Sequence, residues 1–447
     1  MRIGNKKESL ILLLGDIVAF FVALWLSLFI RNFEIPSFNA LYSLAIPFSI
    51  ISIVWIAFFF IAGLYEKQRI AKRKRLPELL LKTQLFNSVV AIFFFYSLPY
   101  FGVAPKTILF FYILISLGLS FIWRVYAVSL FSVKTKSHAL MIAGGSNALS
   151  LRDEVNQNTQ YGFSVVRIID TESIKDLGIE EIERLIKVEK IKTIIVDSRS
   201  ELVSPILPHL YKLIFSKISF IDFYDLYEDM FDRLPVSLID YGWFLENIST
   251  GRRDTYEFLK RVMDLVLALP AFVITLPFYL FVYIGIKIQD NGPLFIVQER
   301  VGKNNRPIRI LKFRSMNRNE TDLSKATDNK VTKFGSFLRV SRIDELPQLV
   351  NVIKGDLTIV GPRPELPSGV KLYEKQIPYY NVRHIIKPGL FGWAQLYHEN
   401  HPHHGVDVEE TQNKLSYDLY YIKHRSFPLD IIIALKTIKI LMSRQGR

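Results

Sequence analysis

Residues 256–288 read YEFLKRVMDLVLALPAFVITLPFYLFVYIGIKI, a strongly apolar stretch with a basic start and two internal prolines. Pro270 and Pro277 each remove a backbone hydrogen-bond donor and clash with the preceding turn, which disfavours a straight membrane-spanning helix. A bent helix that enters one leaflet and returns accounts for both prolines, with Lys260 and Arg261 at the lipid headgroups. The stretch therefore predicts a re-entrant membrane helix.

Four more apolar segments precede this stretch, at about residues 9–30, 41–63, 84–101 and 107–130. Each approaches the roughly 20 residues that a membrane-spanning helix needs, although a soluble helical bundle is an alternative. The first and third connecting loops carry only Arg31 and Lys106 as basic residues, whereas the second carries Lys67, Arg69, Lys72, Arg73, Lys74 and Arg75. By the positive-inside rule both termini are cytoplasmic, and a fifth crossing would strand the basic C-terminal region outside.

The composition agrees with a membrane protein that has soluble parts. Half of the 447 residues are hydrophobic, yet 22% are charged, so the apolar content is concentrated in particular stretches. The formal charge of +14 suits a nucleic acid, an anionic membrane or phosphorylated substrates. The complete lack of cysteine excludes disulfides and cysteine-ligated metal sites, and it fits a chain that faces the reducing cytoplasm.

A change to alternating strands and helices begins near residue 136. HALMIAGGS at residues 138–146 reads as a buried strand that runs into a glycine turn, and KTIIVDS at residues 192–198 reads as another strand. The turn lacks the full G-x-G-x-x-G spacing, so both a ligand-free strand-to-helix turn and a nucleotide site stay open. The predicted organisation is a four-helix transmembrane region at residues 1–135, a Rossmann-like α/β domain at 136–250, and an α+β catalytic domain at 251–447 with a re-entrant helix at about 258–288.

An adjacent pair of carboxylates is the strongest catalytic candidate. In RIDELPQL, Asp344 and Glu345 precede Pro347, and proline is favoured in the first turn of a helix, so both carboxylates lie at a helix start. A plain acidic cap is one interpretation. The alternative is a carboxylate nucleophile with a neighbour that binds magnesium, and it is favoured by four nearby cations: Arg339, Arg342, Lys354 and Arg363.

Two further basic motifs suit phosphate binding. GPRP at residues 361–364 places Arg363 between two prolines, which restricts the backbone and aims the guanidinium; a structural turn is the alternative. In KFRSM, Lys312 and Arg314 alternate with hydrophobic residues as on one face of a strand, for which a solvated face is the alternative. Arg342 and Arg383 complete the set of candidate phosphate-binding residues.

Four histidines occur within seven residues, in HENHPHHG at residues 398–405. Such a cluster could bind zinc or nickel. A loop that contains Pro402 and Gly405 provides no fixed ligand geometry, so a mobile loop over the active site is the favoured interpretation of the segment from His398 to His404.

Taken together, these motifs resemble the bacterial sugar transferase family, the polyprenyl-phosphate hexose-1-phosphate transferases or monotopic phosphoglycosyl transferases. The resemblance covers about residues 256–447 and rests on KRVMD, GPLFIVQERVG, KFRSM, RIDELPQLVNVIKGDLTIVGPRPE, KPGLFGWAQ and YDLYYIKHRS. The preceding helices and α/β unit are similar to the large, initiating members of exopolysaccharide and O-antigen pathways. Pro277 lies where the family helix bends at a Ser-Pro pair, but Leu276 replaces the serine.

The resemblance implies a ping-pong reaction. Asp344 attacks the sugar-bearing phosphorus of a UDP-sugar and releases UMP, Glu345 binds Mg²⁺, and Arg339 is the catalytic arginine. Undecaprenyl phosphate then attacks the phospho-aspartate to form undecaprenyl-diphospho-sugar. The enzyme is expected in the bacterial inner membrane, in contact with lipid, with its catalytic domain on the cytoplasmic face. No nucleic-acid partner is expected, a homodimer is compatible, and the sugar is not assigned because the residues after GWAQ depart from the family pattern.

Two other functions compete with this interpretation. Membrane-bound nucleotide-sugar dehydratases or epimerases also join four helices to a dinucleotide-binding domain, and Tyr256 and Lys260 have the spacing of their Tyr-x-x-x-Lys pair. A non-catalytic scaffold that binds lipid through its basic face is the other rival.

Overall fold

The computed structural model describes residues 5–65, 76–97, 106–131, 136–157, 161–175, 179–216, 218–236, 239–248, 254–290, 292–316, 331–397 and 408–443. The chain forms two compact units, Met1–Phe231 and Asp232–Arg447, called here the N-terminal and C-terminal units. The predicted basic loop from Lys67 to Arg75 and the histidine segment from His398 to His404 lie outside the described residues.

Four long apolar helices open the N-terminal unit, as predicted: α1 (Asn5–Asn32), α2 (Phe38–Ala62), α3 (Leu76–Ser97) and α4 (Lys106–Phe131). Each is long and apolar enough to cross a bilayer, and each leaves large hydrophobic side chains exposed. A buried ion pair joins α1 to α4, because Arg124 Nη2 lies 2.5 Å from Asp16 Oδ2. Tyr65 donates a second hydrogen bond of 2.7 Å to the same oxygen, so the buried carboxylate is paired.

The rest of the N-terminal unit is an α/β layer with a four-stranded parallel sheet in the order β2-β1-β3-β4. Gly145 has φ of +78°, a conformation that favours glycine, and it opens the helix after β1. Mixed α/β content is therefore confirmed, and the Rossmann-like assignment stays a prediction. The elements are β1 (Ser137–Ile142), α5 (Gly145–Gln157), β2 (Phe163–Ile169), α6 (Ile179–Val188), β3 (Ile191–Val196), α7 (Leu207–Lys212), β4 (Ser219–Asp222) and α8 (Phe223–Phe231).

The C-terminal unit has a large and a small hydrophobic cluster, around which helices and two small sheets pack. Leu234, Val236, Ile239 and Trp243 belong to the large cluster, and the unit begins at Asp232. The domain boundary expected at residue 251 stays a prediction. The elements of the C-terminal unit are α9 (Tyr241–Asn247), α10 (Asp254–Asp290), β5 (Phe295–Val301), β6 (Pro307–Phe313), α11 (Lys333–Val340), α12 (Gln348–Lys354), β7 (Thr358–Val360), α13 (Pro367–Gln376), β8 (Gly389–Phe391), α14 (Trp393–Tyr397), α15 (Val408–His424) and α16 (Phe427–Ser443).

Helix α10 contains the predicted membrane stretch and continues through both Pro270 and Pro277. One face packs on the C-terminal unit, through Met263 and Ala268 in the first half and Val282 and Ile286 in the second. The other face exposes large apolar side chains, including Phe258, Val266, Val273, Ile274 and Leu280. An exposed apolar face of this size marks a surface that contacts either a membrane or another protein.

The polar residues at the start of α10 attach it to the C-terminal unit. Arg261 donates hydrogen bonds of 2.7 Å and 2.6 Å to the carbonyls of Val352 and Ile353. Lys260 is buried and lies 2.8 Å from the Asp430 carboxylate. The predicted position of Lys260 at the lipid headgroups is therefore wrong, because its charge is buried and paired with Asp430. The headgroup position of Arg261 stays a prediction.

Candidate active site

The two carboxylates lie on a single 3₁₀ turn, Ile343–Glu345, between α11 and α12. Arg342 precedes this turn with φ of 55°, a left-handed conformation that redirects the chain after α11. Pro347 then precedes the first residue of α12, so both carboxylates come directly before a helix start, as predicted. Asp344 is buried, with 8% of its surface exposed, whereas Glu345 is partly exposed.

Glu345 is bound by two cations that are distant in the sequence. Its Oε1 atom accepts a hydrogen bond of 2.6 Å from Arg363 Nη2 and one of 3.3 Å from Lys312 Nζ. Burial alone would raise the pKa of Glu345, but Arg363 and Lys312 outweigh it and lower the pKa to about 2. Glu345 is therefore a fixed negative charge with its second oxygen left for another ligand.

Asp344 differs from its neighbour. No described residue donates a hydrogen bond to its carboxylate. Burial raises the pKa of Asp344 to about 6 and Glu345 adds to the rise, against the opposing charges of Lys312, Arg339 and Arg363. A carboxylate that is buried, unengaged and close to cations has the properties of an oxygen nucleophile for an anionic centre.

The β5–β6 hairpin positions Lys312, and it reveals a cation that sequence reasoning missed. In the antiparallel register Lys312 pairs with Ile296 and Arg300 with Ile308, so Lys312 and Arg300 share one face. Arg300 donates a hydrogen bond of 3.2 Å to the Pro364 carbonyl, and its charge acts on Arg363 and Glu345. The signal in the sequence is the polar run from Gln298 to Arg300 at the end of an apolar strand.

The other predicted cations lie at different distances from the carboxylates. Arg339 is exposed at the end of α11 and donates a hydrogen bond of 3.0 Å to Ser315 Oγ, and its charge lowers the pKa of Asp344 against the effect of burial. Arg342 acts on Glu345 in the same way. Arg314 is buried just after β6, where its Nε donates to the Met316 carbonyl and its guanidinium packs on Gly292.

Arg383 is a candidate that the structure does not bring into contact with the carboxylate pair. It lies on the 3₁₀ segment Tyr380–Ile385 with 4% of its surface exposed. Its nearest carboxylates are those of Asp418 at 2.7 Å and Glu365 at 3.4 Å. Its link to the site is indirect, through a hydrogen bond to the carbonyl of Arg363.

The site fits a hard divalent cation. Mg²⁺ is commonly held by one or two carboxylates together with substrate phosphates, and the second oxygen of Glu345 is such a donor. Among the described residues, no group of three or more His, Asp or Glu side chains is arranged to hold a metal without a substrate. The histidine segment from His398 to His404 remains a prediction because it lies outside the described residues.

The Tyr256 and Lys260 pair, which favoured a dehydratase, has a different role. Tyr256 Oη donates a hydrogen bond of 2.9 Å to Asp430, and Lys260 Nζ donates to the same oxygen at 2.8 Å. Lys260 also donates to the buried Tyr421 hydroxyl at 3.0 Å. The hydrogen bonds of both side chains attach α10 to α15 and α16, so the pair does not form a hydride-transfer site.

Known proteins are similar to the part of the chain that contains this site. The family model described as bacterial sugar transferase matches residues 255–444. A UDP-N-acetylgalactosamine-undecaprenyl-phosphate N-acetylgalactosaminephosphotransferase of Aeromonas hydrophila is 42% identical over 195 residues, which cover 43% of this chain and 45% of the relative. A UDP-glucose:undecaprenyl-phosphate glucose-1-phosphate transferase of Xanthomonas campestris pv. campestris is 39% identical over 42% of this chain and 40% of the relative.

The matched segment thus spans less than half the length of these two relatives. A shorter relative is matched almost completely: the exopolysaccharide production protein PSS of Rhizobium leguminosarum bv. phaseoli is 36% identical over 195 residues, 42% of this chain and 96% of the relative. The carboxylates Asp344 and Glu345, their cations and the apolar helix α10 all lie inside the matched segment. The chain therefore belongs to the bacterial sugar transferase family.

Proposed function

We propose that the chain transfers a sugar-1-phosphate from a UDP-sugar to undecaprenyl phosphate, which yields undecaprenyl-diphospho-sugar and UMP and initiates surface polysaccharide assembly. The observation that carries the proposal is the buried, unengaged Asp344 beside Glu345, which is itself held by Lys312 and Arg363. Two relatives are named for such transfers between a UDP-sugar and undecaprenyl phosphate.

In the first half-reaction, an oxygen of Asp344 forms a bond to the sugar-bearing phosphorus. The bond from that phosphorus to the oxygen bridging the two phosphates breaks, and its electron pair leaves with UMP. Arg363, Lys312 and Arg339 offset the charge that develops on the phosphate oxygens. Glu345 would hold Mg²⁺, and the ion, when bound, would neutralise part of the charge on the pyrophosphate.

In the second half-reaction, a phosphate oxygen of undecaprenyl phosphate attacks the phosphorus of the phospho-aspartate. The bond between that phosphorus and Asp344 breaks, which restores the carboxylate and forms a new phosphoanhydride. One reactive phosphoryl bond replaces another in each step, so neither requires a large uphill change. Both steps suit the carboxylate of Asp344, which accepts no hydrogen bond from the described residues and so has its oxygens available to react.

The packing of α10 supports a helix that enters the cytoplasmic leaflet and returns. Its first half packs in the core that contains Ile310, and its second half packs on Phe313 of the same strand. If α10 crossed the bilayer, its two halves would lie on opposite sides of a hydrocarbon layer about 30 Å thick. Strand β6 has only seven residues, which span roughly 20 Å. This arrangement favours the re-entrant path, with the carboxylates near the cytoplasmic surface where a soluble donor meets a lipid acceptor.

Cysteine labelling tests this path, since the native chain has no cysteine. A cysteine at the exposed Gln289 is expected to react with a membrane-impermeant maleimide only from the cytoplasmic side, in inverted vesicles or permeabilised cells. A cysteine at Glu34, between α1 and α2, is the matched periplasmic control. Labelling of Gln289→Cys in intact spheroplasts would refute the re-entrant helix.

UMP release tests the reaction. Wild-type protein in detergent or nanodiscs, supplied with Mg²⁺ and undecaprenyl phosphate, is expected to release UMP from one of a panel of UDP-sugars. UDP-N-acetylgalactosamine and UDP-glucose are the first donors to try, because two relatives are named for them. If no donor yields UMP while a known transferase does so under the same conditions, the proposed function is wrong.

The raised pKa of Asp344 predicts a pH dependence. A nucleophilic Asp344 must be ionised, and burial raises its pKa to about 6, so adduct formation is expected to decline as the pH falls through about 6. Single-turnover UMP release without acceptor isolates this step from the titration of undecaprenyl phosphate. An aspartate with an ordinary pKa would place the decline near pH 4, about two pH units lower, and that result would contradict the raised pKa of Asp344.

A further inference from the structure

The loop that carries Arg363 is held by its carbonyl groups. Four consecutive carbonyls accept hydrogen bonds from other parts of the C-terminal unit. Those of Pro362 and Glu365 accept from the backbone of Gly389 and Val301, both at 2.9 Å. Those of Arg363 and Pro364 accept from the side chains of Arg383 and Arg300, both at 3.2 Å. The direction of the Arg363 side chain is therefore set by contacts that lie behind the loop.

Arg383 is the most deeply buried of these donors. One terminal nitrogen of its guanidinium lies 2.6 Å from the Tyr380 hydroxyl and 3.4 Å from Glu365. The other lies 2.7 Å from Asp418 and 3.2 Å from the Arg363 carbonyl. Two carboxylates balance the buried charge, so Arg383 is fixed in place and has little capacity to bind a substrate phosphate.

We propose that Arg383 is a positioning residue, which holds the Arg363 carbonyl and so directs the Arg363 guanidinium toward Glu345 and the donor pyrophosphate. This inference rests on the proposed function and replaces the direct phosphate contact expected from the sequence. It depends on geometry that only arginine offers. The planar guanidinium reaches a carbonyl and two carboxylates at once, whereas a lysine ammonium at the same place would keep the charge and lose this fork.

A double-mutant cycle tests the inference through the rate of the first half-reaction. Arg383→Lys is expected to slow UMP release by about 10-fold to 100-fold, because a misdirected group costs about that much. In an Arg363→Ala background the same change is expected to cost less than about 3-fold, since no guanidinium remains to be directed. If the rate of the double variant falls by the product of the two single-variant losses, Arg383 acts independently of Arg363. That result would overturn the proposal.

Hydrogen exchange supplies a readout that does not depend on activity. Arg383→Lys is expected to speed exchange of the Val301 and Gly389 amides, which donate to the loop carbonyls of Glu365 and Pro362, while the peptide covering α13 keeps its protection. Arg309→Lys, at an exposed arginine of β6, is the matched control and should change neither exchange nor rate. Unchanged exchange of the Val301 and Gly389 amides would overturn the proposal.

A second variant covers the case in which Arg383→Lys does not fold. Asp418→Asn removes one charge from the pair but leaves a side chain of the same shape, so it is expected to loosen residues 361–365 to a smaller extent. The result of the exchange experiment can be distinguished from the result of the test of the proposed function. A wild-type protein that releases no UMP from any donor refutes the function, whereas the exchange experiment tests the positioning of the loop in either case.

Discussion

Replacing Asp344 with asparagine is expected to abolish both the phosphosugar adduct and UMP release. The amide has nearly the shape of the carboxylate but lacks its charge and nucleophilic oxygen. Loss of a covalent nucleophile lowers enzyme rates by at least about 10⁴-fold. The adduct can be detected as a mass increase of the intact protein after incubation with a UDP-sugar in the absence of acceptor. Because Asp344 is buried and without a hydrogen-bond donor among the described residues, Asp344→Asn should fold normally.

Two comparisons make this experiment specific. Glu345→Gln removes the proposed magnesium ligand but not the nucleophile, so a slow adduct is expected from it. Asp356→Asn changes an exposed carboxylate beyond α12 in the same unit and should leave the rate near that of wild type. An adduct that persists in Asp344→Asn at the wild-type rate would assign the nucleophile to another residue.

Removal of the Arg363 guanidinium is expected to produce the second largest loss. Arg363 makes the shorter of the two contacts to Glu345, 2.6 Å against 3.3 Å for Lys312. A preorganised cation at a phosphoryl-transfer site contributes about 10²-fold to 10³-fold to the rate, and Arg363→Ala should lose about this factor. The pKa of Asp344 should also rise, because Arg363 is one of the charges that lower it, so the acidic decline in rate should move to higher pH.

The form of the loss distinguishes catalysis from binding. If Arg363 acts mainly on the transition state, kcat falls while KM for the UDP-sugar changes little. Arg363→Lys keeps the charge but not the planar fork and should fall between wild type and Arg363→Ala. Arg309→Ala is the control for loss of an arginine on an exposed strand position. Equal rates for wild type and Arg363→Ala would exclude Arg363 from the reaction.

The carboxylate pair illustrates how much of the site is local. RIDELPQL indicates a helix start from the proline alone, and the structure has a turn followed by α12 there. The separate roles of the two carboxylates are not local. Glu345 differs from Asp344 because two distant cations donate hydrogen bonds to Glu345 and none to Asp344. They are Lys312, 33 residues earlier, and Arg363, 18 residues later. The sequence places these cations in the same region, but it does not state which carboxylate each one contacts.

Lys260 and Arg383 show why the remaining predictions differ from the structure. A basic residue beside an apolar stretch is ordinarily found at a lipid headgroup, and an arginine in a basic region ordinarily faces solvent or a phosphate. Here Lys260 is buried in an ion pair with Asp430, and Arg383 is buried in an ion pair with Asp418. A buried charge is stable only with such a partner, and the partner lies far away in the sequence. Leu234, Val236, Ile239 and Trp243 likewise pack on core residues from later in the chain.

The sequence by itself determined the apolar helices, the carboxylate pair at a helix start and the resemblance to the bacterial sugar transferases. These features depend on residues that are close together in the chain, where length, hydropathy and turn chemistry act. Only the tertiary structure decided which cations bind Glu345 and that Arg300 bonds the neighbouring Pro364 carbonyl. It also decided that Arg383 holds the loop behind Arg363. Those assignments depend on distances between side chains and on burial, which arise when α10, the β5–β6 hairpin and the GPRP loop pack around one core.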